Sequence, residues 1–121
     1  MRLYKRADFI NLPSMTIYSK IDNHELMGGL FCKTTGPDYG NDWVEQNLIG
    51  ESGFPNGITD GGDALEYQLN LRDTFKDFRT DLECGCRDGM FDDNDCFVVW
   101  DKSDIKNLRD YLNECLKDEA N

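Results

Sequence analysis

Histidine occurs once in the 121 residues, as His24, and positive charge is scarce: 13 Lys+Arg stand against 24 Asp+Glu, a net charge of −11. A general nucleic-acid binder is not expected from that balance, because neutralising phosphates takes an excess of cations. A single histidine in apparent turn chemistry, Asp22-Asn23-His24, leaves little for a nucleophile–base pair, and there is no G-x-S-x-G. Long apolar runs are also missing. Cysteine aside, the longest is the four residues Phe97 to Trp100, against about 20 for a membrane helix. The N-terminal stretch Met1 to Asp8 has basic residues but no apolar segment behind them, so it does not read as a signal peptide. No membrane partner is expected.

What is present describes one globular domain. The chain is 39% hydrophobic, 31% charged and 12% aromatic, and a length near 120 fits a single folding unit, residues 1–121. The five cysteines are Cys32, Cys84, Cys86, Cys96 and Cys115. An odd count without a secretion signal favours reduced thiols in a cytoplasm. Charge is uneven along the chain. Residues 1–35 sum to +2, residues 36–80 to −6 and residues 81–121 to −7. An anionic ligand would meet the first third; a cationic partner would meet the rest.

Local patterns predict an α+β domain: a small antiparallel sheet of about four strands packed against two main helices. Ala7 to Leu12 reads as a helical turn stopped by Pro13. Thr16–Ile21 and Gly29–Thr34 read as an antiparallel hairpin. Trp43–Ile49 reads as a third strand, with Trp43, Glu45, Asn47 and Ile49 on one face. The other face, Val44, Gln46 and Leu48, reads as the more apolar. Residues 50–63, with five glycines, read as a flexible loop. A helix follows, capped by Asp63 and stopped by Gly85, with Tyr67, Leu71, Phe75, Phe78 and Leu82 on one stripe. Leu65 and Leu69 fall off that stripe and call for a second contact surface. After an acidic turn, Cys96–Trp100 reads as a buried strand. Ser103 then caps a last helix with an Ile105, Leu108, Leu112, Cys115, Leu116 stripe, and residues 117–121 are expected to fray.

Candidate chemistry is thin. Cys84-Gly85-Cys86 lacks the second cysteine pair of a zinc site. Asp92-Asp93-Asn94-Asp95 fails the calcium-loop pattern, since its third ligand position falls on Cys96 and no glycine follows. Gly57 to Gly62 before a helix suggests anion binding but has no G-K-[ST] ending, and Asp60 and Asp63 would repel phosphate. No catalytic residue, metal or cofactor is assigned. Two binding patches stand out. One is acidic: Asp88, Asp92, Asp93 and Asp95. The other is cationic and aromatic: Tyr4, Lys5, Arg6, Tyr18, Lys20 and Lys33, where rings would stack a base and cations meet phosphate.

Two stretches carry a resemblance. The opening Leu3-Tyr4-Lys5-Arg6-x-x-Phe9-x-x-Leu12-Pro13-x-x-Thr16-Ile17-Tyr18 resembles small accessory proteins encoded in tailed-bacteriophage genomes. So does the closing Asp88-Gly89-x-Phe91-Asp92-x-x-Asp95-x-Phe97-x-Val99-Trp100-Asp101-Lys102-x-Asp104-Ile105-x-x-Leu108. The resemblance implies a product made in the cytoplasm of an infected bacterium. Proteins of that kind and size include anti-CRISPR and anti-restriction inhibitors and sponges for nucleotide immune signals. The expected function is therefore a non-catalytic counter-defence protein that blocks a bacterial host defence protein through its acidic surface. The alternative is a sponge that sequesters an anionic nucleotide second messenger at the cationic, aromatic patch, in a homo-oligomer.

Overall fold

The computed structural model describes residues 1–21, 27–49, 61–75, 82, 85–87 and 95–119. They form strands β1 (Arg2–Lys5), β2 (Thr16–Ile21), β3 (Gly28–Lys33), β4 (Val44–Asn47), β5 (Cys86–Arg87) and β6 (Cys96–Val99). The helices are α1 (Arg6–Phe9), α2 (Gly61–Thr74) and α3 (Lys102–Glu119). All strand pairs are antiparallel, in the order β1-β6-β2-β3-β4-β5. The fold is α+β with two main helices, as the pattern predicts. The sheet is wider than expected, with β1 at one edge and the two-residue β5 at the other.

β2, Thr-Ile-Tyr-Ser-Lys-Ile, is rich in β-branched and aromatic residues, which suit a pleated surface, and β3 pairs with it. Their pairing slips once. Tyr18 faces Phe31, but Lys20 faces Gly28, so β3 carries the extra residue of a bulge. Gly29 takes it up at φ +75, where a Cβ would stand 2.4 Å from the Phe31 ring, so only glycine fits. The Ser19 hydroxyl donates to the Gly29 carbonyl at 2.7 Å and fastens the bulge.

Residues facing each other across an antiparallel pair share a face. Tyr4 faces Phe97, and Tyr18 faces both Phe31 and Val99. That face is the core. Phe9, Tyr18, Trp43 and Phe97 are buried there, with Tyr4, Ile10, Leu12, Phe31 and Val99 packed around them. The short α1 exists to deliver Phe9, whose ring stacks on Phe97 at 4.4 Å and meets Tyr18 and Trp43 edge-on at 4.6 and 5.0 Å. The helix is shorter than the expected Ala7–Leu12: it closes at Phe9, and i+3 bonds from the Asn11 and Leu12 N–H groups to the Asp8 and Phe9 carbonyls carry the chain in turns up to Pro13.

The main helices differ from the sequence pattern in three places. α2 begins at Gly61, two residues ahead of the predicted Asp63 cap and inside the expected 50–63 loop, most of which lies outside the described residues. It stops at Thr74 rather than Gly85. Phe75 turns left-handed at φ 51, and its N–H donates to the Leu71 carbonyl at 2.7 Å, which is the αL way of closing a helix. Tyr67 and Leu71 of the predicted stripe are half-buried, while Phe75 lies 89% exposed. Finally, α3 is capped by Asp101, not Ser103. Asp101 Oδ1 accepts from the Asp104 N–H at 2.9 Å and the Ser103 hydroxyl at 2.7 Å. Asp104 Oδ2 accepts in return from the Asp101 N–H at 3.1 Å. This reciprocal pair is a capping box, and α3 runs through Glu119, into the tail expected to fray.

Candidate functional site

The cationic, aromatic residues singled out by sequence lie on and around one sheet face, and most are already engaged. Tyr18 has no exposed surface. Its hydroxyl donates to Glu45 Oε2 and accepts from Trp43 Nε1 at 3.0 Å. Lys20, on the same face as Tyr18, pairs with Glu45 Oε1 at 2.9 Å, and its ammonium lies 4.3 Å from the centre of the Phe31 ring. Arg6 donates to the Asn41 carbonyl and lies 5.7 Å over the Trp43 ring. Its Nε is buried without a hydrogen-bond partner.

Lys33 is also fully buried. Its ammonium donates to the Leu12 and Thr35 carbonyls, both at 2.7 Å. Burial lowers its pKa from the ordinary lysine value, because the charged form loses water. Tyr4 is half-buried against the core, with the Arg2 guanidinium 5.2 Å over its ring. Lys5 is exposed on the edge strand β1. Thus Tyr18, Lys20 and Arg6 converge on a single network, Tyr4 borders it, Lys33 is a structural pin elsewhere, and Lys5 is the one exposed residue of the six.

Glu45 and Trp43 hold this network together, and sequence reasoning passed over both as site residues. The signal was present in the alternation of β4, which put Trp43 and Glu45 on one face. Trp43 is fully buried and carries Glu45 in with it, while on the opposite face, apolar at its ends in Val44 and Leu48, Gln46 is buried as well. A carboxylate that is only 6% exposed persists because a phenol and an ammonium supply the bonds that water gave it. On the opposite face, Trp100 Nε1 donates to Ser19 Oγ at 3.0 Å, and Cys32 is buried, which raises its thiol pKa.

Of the acidic patch, Asp95 is half-buried just ahead of β6. Asp88, Asp92 and Asp93 lie outside the described residues. Cys96 is half-buried and Cys115 exposed, both as free thiols. Among the described residues, no group of three His, Cys, Asp or Glu is placed to hold a metal ion. None of the described helices is long and apolar enough to cross a membrane.

The fold and the network define a small α+β protein with a ring-lined core and a buried Tyr–Glu–Lys cluster. No family model, curated protein or solved structure matches the chain.

Proposed function

We propose that this chain is a non-catalytic counter-defence protein of a tailed phage. It acts in the cytoplasm of the infected bacterium by covering the cationic, nucleic-acid-binding surface of an immune protein. The acidic region around Asp88, Asp92, Asp93 and Asp95 is the docking surface. One observation carries this reading. Three of the five cations of the otherwise positive N-terminal third, Lys20, Lys33 and Arg6, are engaged inside the fold, on Glu45, on backbone carbonyls and over Trp43. Engaged there, those cations do little to offset the acid of a chain of net charge −11 for an approaching partner. Opposed charge speeds encounter and makes binding salt-sensitive.

The test is the double variant Asp92→Lys, Asp93→Lys, compared with the parent in capture from host lysate at low and high salt. The captured protein is then assayed for nucleic-acid binding. Loss of capture by the variant, and by the parent at high salt, is expected, together with inhibition of the captured protein's nucleic-acid binding. Capture that ignores both charge reversal and salt refutes the reading.

A second reading, the nucleotide sponge, is favoured by a different observation: both main helices leave apolar side chains exposed, among them Leu65, Leu69, Leu112 and Leu116. That suits an oligomer with ligand sites at its seams. Cyclic dinucleotides and ADP-ribose derivatives are the probes. A ligand at 100 times its Kd adds about 2.7 kcal/mol, which moves the melting temperature by several degrees. A shift with one of them supports the sponge; none across the panel leaves the first reading.

A further inference from the structure

The strand β1 borders the sheet, and its backbone is only half used. Just after β6, the Trp100 N–H donates to the Ile17 carbonyl of β2 at 2.9 Å. Residues of an antiparallel strand alternate in the neighbour that their N–H and C=O face. Val98 therefore turns these groups to β2, while Phe97 and Val99 turn theirs to β1, where their partners are Tyr4 and Arg2. That leaves the N–H and C=O of Leu3, and the N–H of Lys5, pointing off the edge. Among the described residues no strand pairs with that edge. The Leu3 side chain is 58% exposed, and Arg2 and Lys5 on either side of it are exposed as well. Neither cation has a carboxylate partner among the described residues; Arg2 lies over the Tyr4 ring at 5.2 Å. Both ends of the strand are held. The Met1 ammonium pairs with Asp101 and Asp104 at 3.1 and 2.7 Å, and Lys5 leads directly into α1. An edge fixed in this way is preorganised to receive another strand.

We infer that the outer edge of β1 docks an acidic, extended segment of a partner protein, which joins the six-stranded sheet as a seventh strand. The backbone sets the shape of the occupant, because outward N–H and C=O groups in a row are satisfied by a strand. Charge sets its chemistry. Arg2 and Lys5 stand three positions apart with Leu3 between them. A strand laid along them gains two ion pairs if it carries acids three positions apart, and it packs an apolar residue on Leu3. A second copy of this chain fits poorly. Two β1 strands centred on Leu3 crowd four cations on one edge, and two centred between Leu3 and Tyr4 set Arg2 directly against Lys5. Repulsion from acid elsewhere in the chain is screened beyond about 8 Å at physiological salt, whereas pairs in contact at the edge are not. The inference rests on neither reading of function given above.

A displayed library of short random peptides, selected on the full chain, tests it. The selected peptides should carry two acidic residues three positions apart with an apolar residue between them. The strongest binder is then followed by fluorescence anisotropy and by amide spectra of the isotope-labelled chain. Its binding should shift the Leu3 and Lys5 amides and slow their hydrogen exchange. Leu3→Pro takes away an outward N–H and no bond of the β1–β6 ladder, a change that an edge strand admits. It should weaken binding by about tenfold. Arg2→Glu combined with Lys5→Glu should weaken it by about tenfold or more, since two attractive cross-strand pairs become repulsive. Circular dichroism checks each fold, and the charge reversal alone decides if Leu3→Pro does not fold. Selection of no peptide overturns the inference. So do binders without the paired acids, binders that shift amides away from β1, and binders that ignore the charge reversal. A dimer of the chain that Leu3→Pro dissolves overturns it as well, because a second copy would then fill the edge.

Discussion

Tyr18→Phe is the most direct probe of the buried network, because it removes one oxygen and leaves the ring. The ring keeps its edge contact with Phe9 and its stacking on Phe31 at 5.5 Å. Two hydrogen bonds go: the one given to Glu45 and the one taken from Trp43 Nε1. The Trp43 N–H and one carboxylate oxygen of Glu45 each lose a partner in a buried setting. Leaving a buried polar group unsatisfied costs about 1–3 kcal/mol, more for a charged one, so the loss should be about 2–4 kcal/mol. Domains of this size are stable by about 5–15 kcal/mol in all. Urea unfolding, followed by the fluorescence of Trp43 and Trp100, should therefore show a midpoint lower by roughly 1–2 M at unchanged slope. Glu45→Gln alone, and paired with Tyr18→Phe, completes a double-mutant cycle. A coupling above about 1 kcal/mol is expected between residues in direct contact. A midpoint shift worth less than about 0.5 kcal/mol, or additive losses in the cycle, would refute the claim that this network holds the sheet face together.

Two further substitutions report on how the main helices end and begin. Phe75→Gly should stabilise the protein by about 0.5–1 kcal/mol, read as a higher melting temperature, because the left-handed C-terminus of α2 suits glycine and the lost ring is exposed. A destabilised variant would mean that the ring is held by something. Asp101→Ala should lower the helix signal, since it removes the α3 cap. The same contact gives a pH dependence. Bonds from Ser103 and from the Asp104 N–H hold the Asp101 carboxyl well below its ordinary value of 3.8. The unfolded chain therefore takes up the proton first. This contribution is complete above pH 3.8 and is lost as pH falls through that value towards the depressed one. Acid titration of parent and Asp101→Ala should diverge above that window and converge below it; parallel curves would dismiss the cap.

Sequence by itself determined the elements whose signals are local. The β2–β3 hairpin, β6 and α3 were legible because β-branched and aromatic content, a short apolar run and a 3.6-residue stripe are each written within their own segment. A turn ahead of Pro13 was legible, although its helical part closes already at Phe9. Tertiary structure decided the rest. β1 reads Arg-Leu-Tyr-Lys, a string with no strand signature of its own, and becomes a strand because β6 offers an open edge more than ninety positions later. That Trp43 and Glu45 of β4 join the aromatic core was undecidable from alternation, since Glu45 is tolerable there only where Tyr18 and Lys20 happen to stand. The same holds for the cationic patch. Composition could count Tyr18, Lys20 and Lys33 as ready for a ligand. Only packing could show that a carboxylate and two carbonyls had already claimed them, because the energy of a buried charge depends on what lies across the sheet and not on its neighbours in the chain.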